Sequence, residues 1–366
     1  MAESKWIREY YLEIVGERDR LEITSIGQRD PLDLSFSITY DPEKSSQGTM
    51  DLRVFGLKES NIAKIGLDAK VHLRVGYRGG NLVRLYTGLV KKLSVESNST
   101  VHETKILCMS SRIGSKPLLE TFPYGGTHQQ RLEAIMQSIK VAVPDLNIEE
   151  AIVELDDLTS KEPTKEILAS KQLPDRTLLT DPTYGPLTCT STAMEELNNY
   201  LDTFNIYSIV INDNLHLFRK AGKFTNVNAV QAALGENLLN PPRKRLDNSD
   251  GPSGSSVNSV LWELKMLLEP TIRPNTLLVS DHVRTDSGQV EKKALVIRAT
   301  EIKHIGKFRG NEWYTEVAGS ISQEYITNSS IPSIAAEIEK PIFDPKLNDS
   351  PKELLEQILQ LERDRN

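Results

Sequence analysis

The sequence predicts a mainly β protein with an α+β insertion: two similar antiparallel β-barrel modules flank a small mixed domain, and a C-terminal helix follows. Three observations carry that expectation. Apolar, β-rich runs alternate with turn signals from residue 33 to 111, the same order of runs returns between about 250 and 325, and two amphipathic helical patterns stand between the two series.

The 366 residues, 38% hydrophobic and 26% charged, suffice for two or three domains with cores of their own. The N-terminal MAESKWIREYYLEIVGERDR carries charges every few residues, and no apolar run approaches the roughly 20 residues that span a bilayer, so neither export nor membrane insertion is expected. Cys108 and Cys189 form no CxxC pair, which argues against a zinc cluster or a disulfide framework and for a reducing compartment. A net charge of −7 is the wrong sign for a chain whose main task is gripping phosphates.

The first module, residues 1–115, is read from LSFSITY, MDLRVFGL, KVHLRVGY, LVRLYTGLVKKLSV and VHETKILCMS, with Gly79-Gly80-Asn81 and Ser-Asn-Ser-Thr as turns. In KVHLRVGY, Val71, Leu73, Val75 and Tyr77 share one face and His72 and Arg74 the other, as a half-buried strand requires. Residues 116–222 read as a mixed α/β domain. Thr127 and Gln130 have capping-box spacing ahead of Leu132, Ile135, Met136 and Ile139, and Thr192 with Glu195 opens a second helix bearing Leu197, Tyr200, Leu201 and Phe204. IYSIVI and LHLFRK, joined through Asn212-Asp213-Asn214, predict a hairpin, and a short helical stretch is expected near 165–169.

Residues 223–330 hold a linker and the second module. The polar NPPRKRLDNSDGPSGSS of residues 240–256 predicts a mobile loop, its PRKR a solvated segment beside two aspartates. VLWELKMLLE, a proline-bounded connector, NTLLVSDHV, KALVIRATEIKHI and EWYTEVAGSISQEY then follow in the order already met after Met50. Residues 331–366 predict an extended tether, broken by Pro332, Pro341 and Pro345, and a helix capped by Ser350 with Pro351 and Glu353 behind it. Leu354, Leu355, Ile358, Leu359 and Leu361 form one apolar stripe on that helix, the candidate partner-binding residues.

LRVFGLKESNIAKIGLDAKVHLRVGY, YTGLVKKLSV with KILCMS, EELNNYLDTFNIYSIVINDNLHLFRKAG, and LLEPTIRPNTLLVSD with IRATEIKHIGKFRGNEWYTEVAG together resemble the central baseplate hub of contractile phage tails and related injection machines, including the phage late control proteins. The resemblance covers roughly residues 30 to 325. It implies a homotrimer whose two tube-like barrels per subunit make a pseudo-six-fold ring joining the tail tube to a central spike, with a channel for DNA. It also implies location in the virion tail baseplate after assembly in the host cytoplasm. The implied partners are two further copies of the chain, the tail tube or tube-initiator protein, the spike and the tape-measure protein, with DNA only in passage. The polar loop at 240–256 and the long C-terminal tail depart from that pattern. Independently of the resemblance, a duplicated module repeated three times presents six equivalent edges, which resolves the mismatch between a trimer and a six-fold tube. An acidic wall would also keep DNA from sticking.

No cofactor, metal site or catalytic set is expected. The histidines at 72, 102, 128, 216, 282 and 304 have no paired ligand spacing, and His128 beside Gly125 and Gly126 reads as a helix entry rather than an anion site. No GxSxG, P-loop or GxGxxG occurs. Of the acid pairs Glu149-Glu150, Asp156-Asp157 and Glu195-Glu196, Asp156 or Asp157 would serve the alternative reading, a tail-associated enzyme that degrades cell-wall carbohydrate or peptidoglycan. A cell-wall turnover assay with both aspartates changed to alanine separates that reading from a structural one.

Overall fold

The computed structural model describes residues 7–42, 45–98, 101–113, 121–122, 128–148, 187–188, 192–202, 206–219, 229–246, 260–285 and 287–321. The chain forms two compact units, one of residues 1–32 and 41–221, the other of residues 33–40 and 222–366. The protein is mainly β with a small helical part, as the sequence predicts.

The first unit begins with two strands that the sequence reading passed over, β1 (Arg8–Val15) and β2 (Arg20–Thr24). Tyr10, Leu12 and Ile14 are buried while the residues between them are only partly so, and the charges that disguise the pattern lie on the other face. β2 ends the sheet, and its Arg20 holds Glu13 at 2.7 Å and Glu22 at 2.8 Å, a charged edge of the kind that deters pairing with another chain. The next strand, β3 (Leu34–Tyr40), belongs to the second unit although the sequence reading sets LSFSITY in the first module. β4 (Thr49–Phe55), the short α1 (Glu59–Ile62), β5 (Lys70–Tyr77), β6 (Val83–Asn98) and β7 (Val101–Met109) complete an antiparallel sheet in the order β4-β7-β6-β5-β1-β2.

Residues 121–219 add a small pair, β8 (Thr121–Phe122) with β9 (Leu187–Thr188), and α2 (His128–Ala142), α3 (Ala193–Asp202), β10 (Ile206–Ile211) and β11 (Asn214–Arg219). Ile135, Met136 and Ile139 of α2 and Leu197 and Leu201 of α3 are buried with Val210, Leu215 and Leu217 of the hairpin, so the predicted apolar stripes meet in one core. At the start of α3, the Thr192 amide donates to the Glu195 carboxylate at 2.9 Å and the Glu195 amide to the Thr192 hydroxyl at 3.3 Å, the expected capping box. Asn212 and Asp213 have φ of 52° and 68°, the two left-handed residues that a two-residue hairpin needs. The helical stretch near 165–169 and the C-terminal tether and helix lie outside the described residues.

In the second unit, β12 (Ala229–Ala232) is parallel to β15 (Leu277–Arg284). The other pairs, among β13 (Leu238–Leu246), β14 (Val260–Leu267), β15, β16 (Val290–Lys307), β17 (Trp313–Ile321) and β3, are antiparallel. β13 corrects a sequence expectation: residues 240–246 are a paired strand, not the start of a loop. Pro241 and Pro242 fall where the register shifts between Asn240 and Arg243, so the bulge absorbs two residues with no N–H to give. Beyond it Arg243 and Arg245 hold Glu263 and Glu301 at 3.4 and 3.3 Å, and Lys244 lies 5.8 Å from the Trp262 ring centre. The PRKR cations are therefore anchored by neighbouring strands.

Candidate assembly interface

The two units contain the same four-stranded motif. In the first, β4 pairs with β7, β7 with β6 and β6 with β5; in the second, β14 pairs with β17, β17 with β16 and β16 with β15. The correspondence reaches single hydrogen bonds. Asp68 and Asn275, with φ of 62° and 76°, each stand two residues before an eight-residue strand. The amide of Asp68 donates to the Val90 carbonyl at 2.8 Å, and that of Asn275 donates to the Ala299 carbonyl at the same distance. Val90 and Ala299 return the bond, donating to Ala69 and Thr276 at 3.0 and 2.9 Å. Immediately afterwards the long strand bulges in both copies, at Lys91 and at Thr300. Ile65 and Ile272, each three residues before the left-handed residue, are both buried.

Past the bulge the copies differ in what lies on the long strand. In the second unit, Ile302–Lys307 of β16 pairs on one side with β17 and on the other with Ser35–Tyr40 of β3. The β3 side chains fill the space this creates. Phe36 meets Trp313 edge to face with ring centres 5.5 Å apart, and its ring occupies the room left by Gly306, where a Cβ would lie 2.3 Å from it. Tyr40 meets His304 edge to face at 6.2 Å, and the His304 Nδ1 lies 3.0 Å from the Thr315 hydroxyl. His304 is 1% exposed, and burial, aided by the Arg273 charge against the pull of the Ile272 carbonyl, holds its pKa down at about 3.

Cross-strand register places Leu93, Val95 and Thr104 of the first unit where Ile302, His304 and Thr315 stand in the second. There, among the described residues, no strand pairs with the outer edge of β6 beyond its bulge. Val95 is 47% exposed, against 1% for His304. Thr104, fully buried, has a hydroxyl with no hydrogen-bond partner, whereas Thr315 serves both His304 and the Glu269 amide. Glu96 and Glu103 face each other across β6 and β7, and are held by Lys105 at 2.6 Å and Arg53 at 3.4 Å.

The residues weighed for chemistry are scattered. His72 lies 2.9 Å from the Thr87 hydroxyl in the β5/β6 pair, His282 lies 2.7 Å from Asp281, and His102 and His216 stand in β7 and β11. Among the described residues no three His, Cys, Asp or Glu side chains converge as a metal site requires. Glu195 is taken up by its cap. Glu149, Glu150, Asp156 and Asp157 lie outside the described residues, as does the side chain of His128. Cys108 is buried in β7, and burial pushes its thiol up to about 12, so it is inert at neutral pH. An open cleft of about 640 Å³ in the first unit holds the ion pairs Lys70–Asp213 at 2.7 Å and Arg112–Asp68 at 3.8 Å, and its remaining acids are Glu17, Asp19 and Asp145. The stripe Leu354, Leu355, Ile358, Leu359 and Leu361 also lies outside the described residues. The repeated hydrogen bonds at Asp68 and Asn275 escaped sequence reading, although an Asp or Asn two residues before an apolar run is the residue type that tolerates this backbone.

No family model matches the sequence, and no curated protein matches it. By structure the chain is similar to the tail protein from Neisseria meningitidis MC58, with a TM-score of 0.50 and 8% identity over 86% of this chain and 97% of that one. It is also similar to the 43 kDa tail protein of prophage MuSo2 from Shewanella oneidensis, with a TM-score of 0.50 and 11% identity over 85% and 97% of the two chains. At these identities the likeness is one of fold: this chain has a fold similar to those of two tail proteins, matched over nearly their whole length.

Proposed function

We propose that this chain is a structural hub of a phage-type tail or related injection machine, a trimer whose duplicated modules form a pseudo-six-fold ring between the tail tube and a central spike. The observation that carries the reading is the duplication itself, the same strand order with the same bonds at Asp68 and Asn275. A single-copy chain has no need of two such modules; a trimer that must sit on a six-fold tube does. The fold likeness to two tail proteins and the charge of −7, suited to a channel for passing DNA, agree with it. The hub belongs in the virion tail and acts by assembly rather than catalysis. Its four parts are the modules within 1–115 and 223–330, the mixed domain 116–222 and the tail 331–366. Light scattering on the purified chain tests the trimer, whose obligate interfaces should each bury about 2,000 Å² or more.

The C-terminal stripe of Leu354, Leu355, Ile358, Leu359 and Leu361 is proposed to dock in a groove of a neighbouring subunit or tail protein, because about 15 residues of isolated helix are marginal in water. Deleting residues 350–366 should leave the melting temperature unchanged and weaken co-sedimentation with the spike or tube protein. A drop of several degrees with co-sedimentation intact would place the helix in the subunit's own core.

A further inference from the structure

We propose that the outer edge of β6, Leu93–Asn98, is an acceptor for a β-strand from a second copy of this chain, and that the donated strand is β13. The inference rests on the trimer reading and names the surface through which it is built.

The repeat supplies the argument. The strand immediately before each module in the chain is β3, before β4, and β13, before β14. β3 lies against the far half of the other module's long strand, Ile302–Lys307. The corresponding half of β6 has no such strand among the described residues, and the corresponding donor is β13. Arg243–Leu246 of β13 pairs regularly with β14 on one side, and no described strand hydrogen-bonds to its other side. Among the described residues, one acceptor edge and one donor edge per chain lack a hydrogen-bonded strand, and joining them between copies makes a head-to-tail contact, which closes into a ring when the rotation between copies allows it.

The open edge has the marks of a vacated site. Where β3 buries His304, the equivalent Val95 is 47% exposed, and Thr104 is left with a buried hydroxyl that bonds to nothing. An unpaired strand edge of this kind costs solubility unless it is charged or covered; β2 carries the paired charges Arg20 and Glu22, while this edge presents Val95 beside Glu96. The charges of the two edges are complementary: Glu96 and Glu103 face each other on the acceptor, each with one cation of its own unit, and the donor carries Arg243, Lys244 and Arg245, of which Arg243 and Lys244 are exposed and Arg243 and Arg245 also hold Glu263 and Glu301. Pro241 and Pro242 end the donor ladder without leaving unpaired N–H groups.

Disulfide trapping tests the contact. Differently tagged full-length chains carrying Cys189→Ser are co-expressed, one with Val95→Cys and the other with Arg243→Cys, Lys244→Cys or Arg245→Cys in turn. Val95, Arg243 and Lys244 are exposed, so their variants should fold. Facing strand positions lie within disulfide reach, and at one of the three positions mild oxidation should link the two tags at least tenfold above either chain expressed alone. A particle of three chains with no enrichment at any position would overturn the strand contact while leaving the trimer standing. A monomer with no enrichment would overturn both.

Discussion

Changing Phe36 to alanine should lower the stability of the second unit by about 3–5 kcal/mol, the usual cost of removing a buried aromatic side chain. Phe36 is 3% exposed and meets Trp313, which is equally buried. Its ring also fills the place of a side chain at Gly306, so removing it leaves a void directly against the β16 backbone. The loss falls on the strand that comes from outside the module, whose hold on β16 is a six-residue ladder and three large side chains, Phe36, Ile38 and Tyr40. Denaturant unfolding followed by the fluorescence of Trp262 and Trp313, both buried in this unit, measures the change. A shift below about 1 kcal/mol would mean that β3 contributes little to the unit, since truncating a buried aromatic side chain ordinarily costs about 3–5 kcal/mol.

Acid should destabilise the second unit through His304. Buried, the imidazole stays neutral down to about pH 3, while in the unfolded chain it takes a proton near the ordinary value of 6.5. The folded pKa is therefore depressed: this contribution is complete above pH 6.5 and is lost as pH falls toward 3, at up to about 1.4 kcal/mol per pH unit. His72, half-buried, is shifted in the same direction by burial and by the Arg84 and Lys70 charges, so it adds to the slope of both proteins compared. His304→Gln removes the ionisable group, and its stability should fall less steeply between pH 6.5 and 4 than that of the unchanged chain, whatever the absolute values. Equal slopes would show that the buried imidazole does not govern the acid limb.

Much of the fold was legible because local chemistry and tertiary fate agree there. Thr192 and Glu195 cap the helix they were expected to cap, Asn212-Asp213 turns the hairpin, and the order of strands after Met50 returns after Val260. The reading failed where partners are remote in sequence. LSFSITY has the alternation of a strand, but nothing in its seven residues says that it pairs with Ile302–Lys307 rather than with its neighbours. Arg8 to Val15 hid its buried Tyr10, Leu12 and Ile14 among charges. Pro241-Pro242 announced a loop, and the strand survives because a bulge takes up both prolines. The candidate interface was legible only as six equivalent edges of a duplicated module repeated three times; the choice of edge required the register at Val90 and Ala299.

The mass and symmetry of the assembled particle test the hub reading most directly. Light scattering should give a mass of three chains, and image averages viewed down the axis should show three-fold particles with six similar lobes around a channel. A chain that stays monomeric across the micromolar range, or closes into a ring of any other number of copies, would contradict it.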